Sequence, residues 1–161
     1  MNIYEFAMKM EKDGEHYYHE LAKMSLNTGF RNIFTMLAKA EEFHYNTFKK
    51  MKENEKVVAA GTKILSEVKN IFEKMQEEKK DPDIHITETD LYKKAQEIEK
   101  ESMNFYLKHA DEVNDPYQKE IFTRIAGEEK KHYFILEEIV NFVSRPETWL
   151  ENPEWYHIEE Y

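Results

Sequence analysis

Cysteine is absent from this 161-residue sequence, which excludes disulfide bridges, a thiolate nucleophile, iron–sulfur clusters and zinc sites built on Cys. Glycine and proline are scarce, four of each, and so little punctuation favours a few long helices over many short strands. No run approaches the roughly 18 apolar residues of a membrane-spanning helix. The opening Met1-Asn2-Ile3-Tyr4-Glu5 has neither the basic nor the apolar region of an export signal. The expected compartment is therefore the cytoplasm, with no membrane partner. Positive charge is also short: 23 Lys and Arg face 33 Asp and Glu, for a net charge of −10. Such a chain does not displace counterions from phosphate, so nucleic acid is not an expected partner.

Apolar residues make up 40% and charged residues 35%, a mixture that suits amphipathic helices in one domain large enough to bury a core. Apolar residues recur at helical spacing in four long segments. The first, about 2–26, carries Ile3, Phe6, Ala7, Met10, Tyr17, Tyr18 and Leu21, and the second, about 29–54, carries Ile33, Leu37, Ala40, Phe48 and Met51. The third, about 88–113, carries Leu91, Ala95, Ile98, Phe105, Tyr106 and Ala110, and the fourth, about 116–143, carries Ile121, Ile125, Leu136, Ile139 and Val143. Thr87 before the third segment, and Asp115 followed by Pro116 before the fourth, read as helix starts.

The breaks Asn27-Thr28-Gly29 and Asn114-Asp115-Pro116 are short, so each pair of helices folds back as an antiparallel hairpin. Between the hairpins, about 55–86, Val58, Gly61, Leu65, Val68, Ile71, Phe72 and Met75 predict a short amphipathic helix, with a loop at Asp81-Pro82-Asp83. The expected fold is all-α: a four-helix bundle of two helical hairpins joined by a long crossover containing a short helix. It occupies residues 1–143. Residues 144–161, with Trp149, Pro153, Trp155 and Tyr156, form an aromatic tail expected to pack on the bundle or on a second subunit.

The two halves repeat without a gap. A shift of 88 positions lays Glu11 on Glu99, Glu41 on Glu129 and His44 on His132 (99−11, 129−41 and 132−44). It also pairs Tyr4 with Tyr92, Ala7 with Ala95, Tyr18 with Tyr106, Ala22 with Ala110, Ala38 with Ala126 and Tyr45 with Tyr133. Ile33-Phe34-Thr35 falls on Ile121-Phe122-Thr123. The chain reads as a duplicated helical hairpin.

A single Glu-x-x-His carries little weight, since at this composition chance supplies about one. Three occur: Glu41/His44, Glu129/His132 and Glu154/His157. The third lies in the tail without a counterpart, whereas the first two fall in register within the repeat. Residues three apart share a helix face, so Glu41 and His44 project among Leu37, Ala40 and Phe48, and Glu129 and His132 between Ile125 and Leu136. Glu11 lies on the stripe of Ala7, Gly14 and Tyr18, and Glu99 on that of Ala95, Ser102 and Tyr106. Four carboxylates and two imidazoles thus point into the expected dry centre.

Burying even one unpaired carboxylate costs several kcal/mol, and no Lys or Arg stands at the matching interior positions. Metal cations would compensate. Two divalent ions balance four glutamates with neutral histidines, as do two trivalent ions with a bridging oxide. One Glu from each of two helices and Glu-x-x-His from each of the other two is the ligand pattern of diiron carboxylate bundles. Glu15, one turn after Glu11, is a candidate seventh ligand weighed against a solvated helix face, and His16, His19, His85, His109 and His157 read as surface or partly satisfied histidines.

At Ala40-Glu41-Glu42-Phe43-His44, Glu128-Glu129-Lys130-Lys131-His132, Glu11 and Glu99, with Tyr18 and Tyr106 seven residues after the last two, the chain resembles the rubrerythrin branch of the ferritin-like superfamily. The likeness runs over residues 1–143. It implies a ferritin-like bundle holding two iron ions, with manganese or zinc also admitted by the ligand set. It implies reduction of hydrogen peroxide or dioxygen with electrons relayed from a rubredoxin.

The resemblance further implies that Glu41 and Glu129 bridge the metals, while Glu11, His44, Glu99 and His132 complete the separate ions. Tyr18 and Tyr106 would orient glutamates by hydrogen bonding, unless they serve plain core packing. A homodimer is the expected assembly. The sequence departs from the family in two respects. The four cysteines of a C-terminal rubredoxin domain are missing, so the donor would be a separate rubredoxin-like protein. Ser102 stands where the family carries an extra ligand glutamate. A ferroxidase that stores or handles iron, and a non-enzymatic bundle with structural metals, are the alternative functions.

Overall fold

Five α-helices, and no strand, make up residues 2–57, 64–78 and 88–144, the part of the chain that the computed structural model describes. They are α1 (Ile3–Met24), α2 (Thr28–Lys52), α3 (Ile64–Glu78), α4 (Glu88–Glu112) and α5 (Pro116–Ser144). Thr87, Val58, Gly61, the Asp81-Pro82-Asp83 loop, His85, His157 and the aromatic tail lie outside the described residues.

Local chemistry fixes the helix ends. Asn2 caps α1 by accepting a hydrogen bond from the Glu5 N–H at 2.8 Å, and Asn27 caps α2 by accepting from the Phe30 N–H at 3.0 Å, each satisfying a donor that the first turn leaves open. The second helix therefore starts before Gly29, inside the expected break. Asp115 accepts from the Tyr117 N–H at 3.0 Å, with Pro116 as the first helical residue of α5. At the end of α2 the N–H groups of Asn54 and Glu55 reach back to the carbonyls of Met51 and Lys50, at 3.1 and 2.9 Å. This closure needs a left-handed residue, and Asn54 adopts it with φ 61°.

Helices α1 and α2 form one hairpin, α4 and α5 the other, and α3 of the crossover packs on α2 and α5. Tyr17 of α1 donates to the Leu91 carbonyl of α4 at 2.8 Å, tying the hairpins together. The predicted crossover helix is present, with Ile64, Val68 and Phe72 buried against Phe30, Phe34 and Phe142. Gly29 is where α3 approaches closely: a Cβ there would meet the Met75 Sδ at 2.9 Å.

Two apolar clusters fill the bundle. One gathers Leu21, Phe34, Leu37, Tyr92, Leu136 and Phe142, and the other gathers Ala7, Phe48, Tyr106, Ile121 and Phe122. Phe6, expected on the buried stripe of α1, is 45% exposed. Its ring lies tilted against that of Phe105 of α4 at 4.9 Å between centroids, at the seam between hairpins, where the bundle does not close over it. Gly127, exposed in α5 with nothing within 4 Å of an added Cβ, only weakens its helix. Gly127→Ala is expected to stabilise the protein by about 0.5–1 kcal/mol in urea unfolding.

Candidate metal centre

Each long helix passes from one apolar cluster to the other, and the polar side chains sit at the crossing point. On α2, Glu41 and His44 fall between Leu37 and Phe48; on α5, Glu129 and His132 fall between Ile125 and Leu136. Glu11 occupies that level on α1 and Glu99 on α4. All six side chains are buried, with His132 at 0% and Glu41, the most open, at 4% exposure.

The contacts cross between the two halves. His44 Nδ1 lies 3.0 Å from Glu129 Oε1, and His132 Nδ1 lies 3.1 Å from Glu41 Oε1. Each histidine also approaches the single glutamate of its own half, His44 to Glu11 at 3.4 Å and His132 to Glu99 at 3.3 Å. The two imidazoles stack in parallel with centroids 6.0 Å apart. The Tyr106 hydroxyl donates to Glu11 Oε1 at 2.7 Å, and the Tyr18 hydroxyl donates to Glu99 Oε1. Each tyrosine thus serves the half to which it does not belong. Tyr18→Phe and Tyr106→Phe each take a hydroxyl donor from a buried carboxylate oxygen. Each is expected to lower the unfolding free energy of the metal-free protein by about 1–3 kcal/mol, by equal amounts within error in denaturant titrations.

Two overlapping sets of donor atoms result. Glu11, Glu41, His44 and Glu129 bring one ligand atom each to within 4.8 Å of one another, and so do Glu41, Glu99, Glu129 and His132. Glu41 and Glu129 belong to both sets. Two donors about 2.1 Å from one ion stand at most about 4.2 Å apart, so small side-chain adjustments would close either set on a cation. The Oε2 atoms of Glu11, Glu99 and Glu129 are buried without a hydrogen-bond partner, which is costly unless a cation takes them up. Carboxylate oxygens with imidazole nitrogens suit iron, manganese or zinc. The residues fit a pair of such ions.

Protonation shows the same demand for positive charge. Burial, then the charges of Glu11 and Glu99, hold the Glu41 carboxyl well above the usual carboxylate range. Burial and the charges of Glu11, Glu41 and Glu99 do so for Glu129. Burial would raise Glu11 too, but the neighbouring His44 charge and hydrogen bonds with Glu41, His44 and Glu129 bring it down to about 2. Without metal, the same burial and neighbouring charge bias the two shared glutamates toward their protonated forms.

Glu15 is in neither set. It lies at the rim, 9% exposed, 3.2 Å from Lys12 Nζ and 3.7 Å from His19 Nε2. His16 and His19 are exposed. His109 rests edge-on against Phe122 with centroids 4.4 Å apart, and burial lowers its pKa. Ser102 is buried one turn after Glu99. Two neighbours of the site, Glu128 and Gly14, were given no role of their own in the sequence. Glu128, buried and 2.9 Å from Lys131 Nζ, adds its charge near His44. Gly14 packs against Glu41, and its one signal in the sequence is a glycine inside a strongly helical pattern.

Paired helical hairpins, a crossover helix and a buried carboxylate–imidazole belt define an all-α bundle of the ferritin-like class with a diiron-type metal site. The sequence profile of the rubrerythrin family matches residues 2–140. The chain belongs to the rubrerythrin family. Comparison with curated proteins gave no match, and comparison with solved structures gave none either. No described helix is long and apolar enough to cross a membrane.

Proposed function

We propose that this protein holds two iron ions between Glu11, Glu41, His44, Glu99, Glu129 and His132, and reduces hydrogen peroxide or dioxygen with electrons from a separate donor. The observation that carries this reading is the sharing of Glu41 and Glu129 between two four-donor sets. Glu41 and Glu129 would hold both ions, and a pair held in this way would act together on one small oxidant. An iron pair supplies the two electrons that convert hydrogen peroxide and two protons into two waters.

The chain's own residues hold and shield that pair. Burial and the neighbouring carboxylates favour the protonated forms of Glu41 and Glu129, and cation binding would displace those protons. Tyr18 and Tyr106 hold the Glu99 and Glu11 carboxylates in place from the opposite hairpin. Phe48, Phe122, Leu37 and Leu136, all fully buried, exclude bulk water above and below. These 161 residues have no cysteine, so the electrons come from a centre such as a separate rubredoxin. A homodimer in the cytoplasm is part of this reading.

Metal analysis with an absorption spectrum tests the first half: about two irons per chain with near-ultraviolet absorption are expected, and redox-silent zinc at full occupancy would overturn it. Peroxide consumption with reduced rubredoxin tests the second. Ser102, a hydroxyl where the family has a further ligand glutamate, favours a second reading as a ferroxidase that handles iron. Retention of many irons per chain without peroxide turnover would select it.

A further inference from the structure

Gly14 stands in the middle of α1, where a glycine weakens the helix, and its φ is not positive, so backbone freedom is not the reason for it. Space is. A Cβ at this position would stand 2.9 Å from Glu41 Oε2, 3.3 Å from its Cδ and 3.5 Å from its Cγ. A contact at 2.9 Å would force the carboxylate to move.

Under the 88-residue shift Gly14 pairs with Ser102 (102−14), so the second half has a side chain where the first has none. The corresponding carboxylates sit differently. Glu129 Oε2 comes within 4.0 Å of Nδ1 of His132 on its own helix. Among the described residues His44 pairs with Glu11 and Glu129 but makes no such approach to Glu41. Exposure differs in the same sense. The Glu41 side chain is 5% exposed, against 1% for Glu11 and Glu129 and 2% for Glu99. The most open of the four carboxylates is the one lying on the glycine.

We propose that Gly14 is the positioning residue for Glu41 and the access notch to the metal pair. Its missing side chain seats the shared carboxylate against α1 and leaves there the side from which a hydrated divalent cation reaches the cluster, while Ser102 closes the equivalent side at Glu129. A hydrated cation exchanges its waters for carboxylate oxygens stepwise, so first contact falls on the carboxylate that solvent touches. Glu41 belongs to both donor sets, so a cation caught there passes to either position. The inference rests on the two-metal reading of the cluster.

Cobalt(II), whose visible absorption changes when it leaves water, is the probe for uptake by the metal-free protein. Gly14→Ala is expected to slow uptake and weaken binding about 10- to 100-fold, with the helical circular dichroism retained. Gly127→Ala, which makes the same helix-favouring change on the exposed face of α5 with open space around it, is expected to match the wild type. Ser102→Gly opens the second side and is expected to speed uptake. Wild-type rate and affinity in Gly14→Ala, or an equal defect in Gly127→Ala, would overturn the proposal. If Gly14→Ala does not fold, an unchanged or slower rate in Ser102→Gly overturns it, and a faster one supports it. A wild-type protein that takes up no cobalt would instead sink the two-metal reading, a failure visible without any variant.

Discussion

Loading the metal-free protein with two divalent cations is expected to raise its melting temperature by about 10–30 °C, and the gap is expected to widen from about pH 5 to pH 8. A cation at 100 to 1,000 times its Kd stabilises by about 2.7–4.1 kcal/mol. Two cations double that, and a domain of this size gains about 2–4 °C per kcal/mol. The pH dependence comes from the protons that the cations displace. Burial, followed by neighbouring carboxylates, raises both Glu41 and Glu129 above their ordinary value, so the native state holds protons that the unfolded chain has already released. Stability of the metal-free protein then falls as pH climbs past about 4.3, the unfolded glutamate value.

His44 acts in the same direction. Burial pulls its pKa down, but the charge and hydrogen bond of Glu11, with Glu128 and Glu99 behind, more than reverse this. Its contribution is present below about pH 6.5 and is lost as pH rises through the raised value. Glu11, at about 2, works oppositely: its stabilisation is complete above the ordinary carboxylate range and is lost only as pH falls toward about 2, below the window considered. Glu99 is also lowered, because the His132 charge and hydrogen bonds from Glu129, His132 and Tyr18 outweigh burial, and it behaves in the same way. Bound cations take the place of the displaced protons, so the loaded protein lacks the downward slope. Calorimetry of both forms across the window checks this, and a gap that is constant or shrinks toward alkaline pH contradicts it.

The second large effect concerns stoichiometry. Glu41→Ala and Glu129→Ala each remove a donor from both sets, and each is expected to reduce bound metal from about two ions per chain to well below one after dialysis. Glu11→Ala and Glu99→Ala each affect one set, and each is expected to leave about one ion. The same glutamates predict a gain elsewhere. Glu41→Gln keeps the shape of the protonated carboxyl that burial already favours, so the metal-free variant at pH 8 should be more stable than wild type by at least about 1 kcal/mol. A residue that only braces the fold would lose stability on substitution. Lost metal together with a stabler metal-free fold marks Glu41 as a cation ligand. Equal metal loss in all four alanine variants would mean that the two sets are not distinct.

The site was unusually legible because its residues are spaced along helices. Glu41 with His44, and Glu129 with His132, lie three apart on stripes whose apolar members, such as Leu37, Phe48 and Leu136, are buried. Burial of the pair follows from burial of the stripe. The crossover helix was legible for the same reason, since Val68 and Phe72 recur at helical spacing. Phe6 was misread because it lies at the edge of its stripe, and whether an edge is covered depends on how closely the next helix approaches. Glu15 sits at a comparable edge and turns toward Lys12 and His19 instead of inward.

Periodicity and the in-register duplication determined, from sequence alone, that four amphipathic helices pair as hairpins and that four glutamates and two histidines share their buried faces. These are properties of one helix at a time, repeated. Tertiary structure decided what depends on distance between helices. Tyr18 reaches Glu99 and Tyr106 reaches Glu11 across the hairpins, Glu41 and Glu129 fall in both donor sets, and Gly14 lies against a carboxylate that its serine counterpart would displace. A helical repeat fixes which way a side chain points from its own axis. Only the packing of neighbouring axes fixes what it meets.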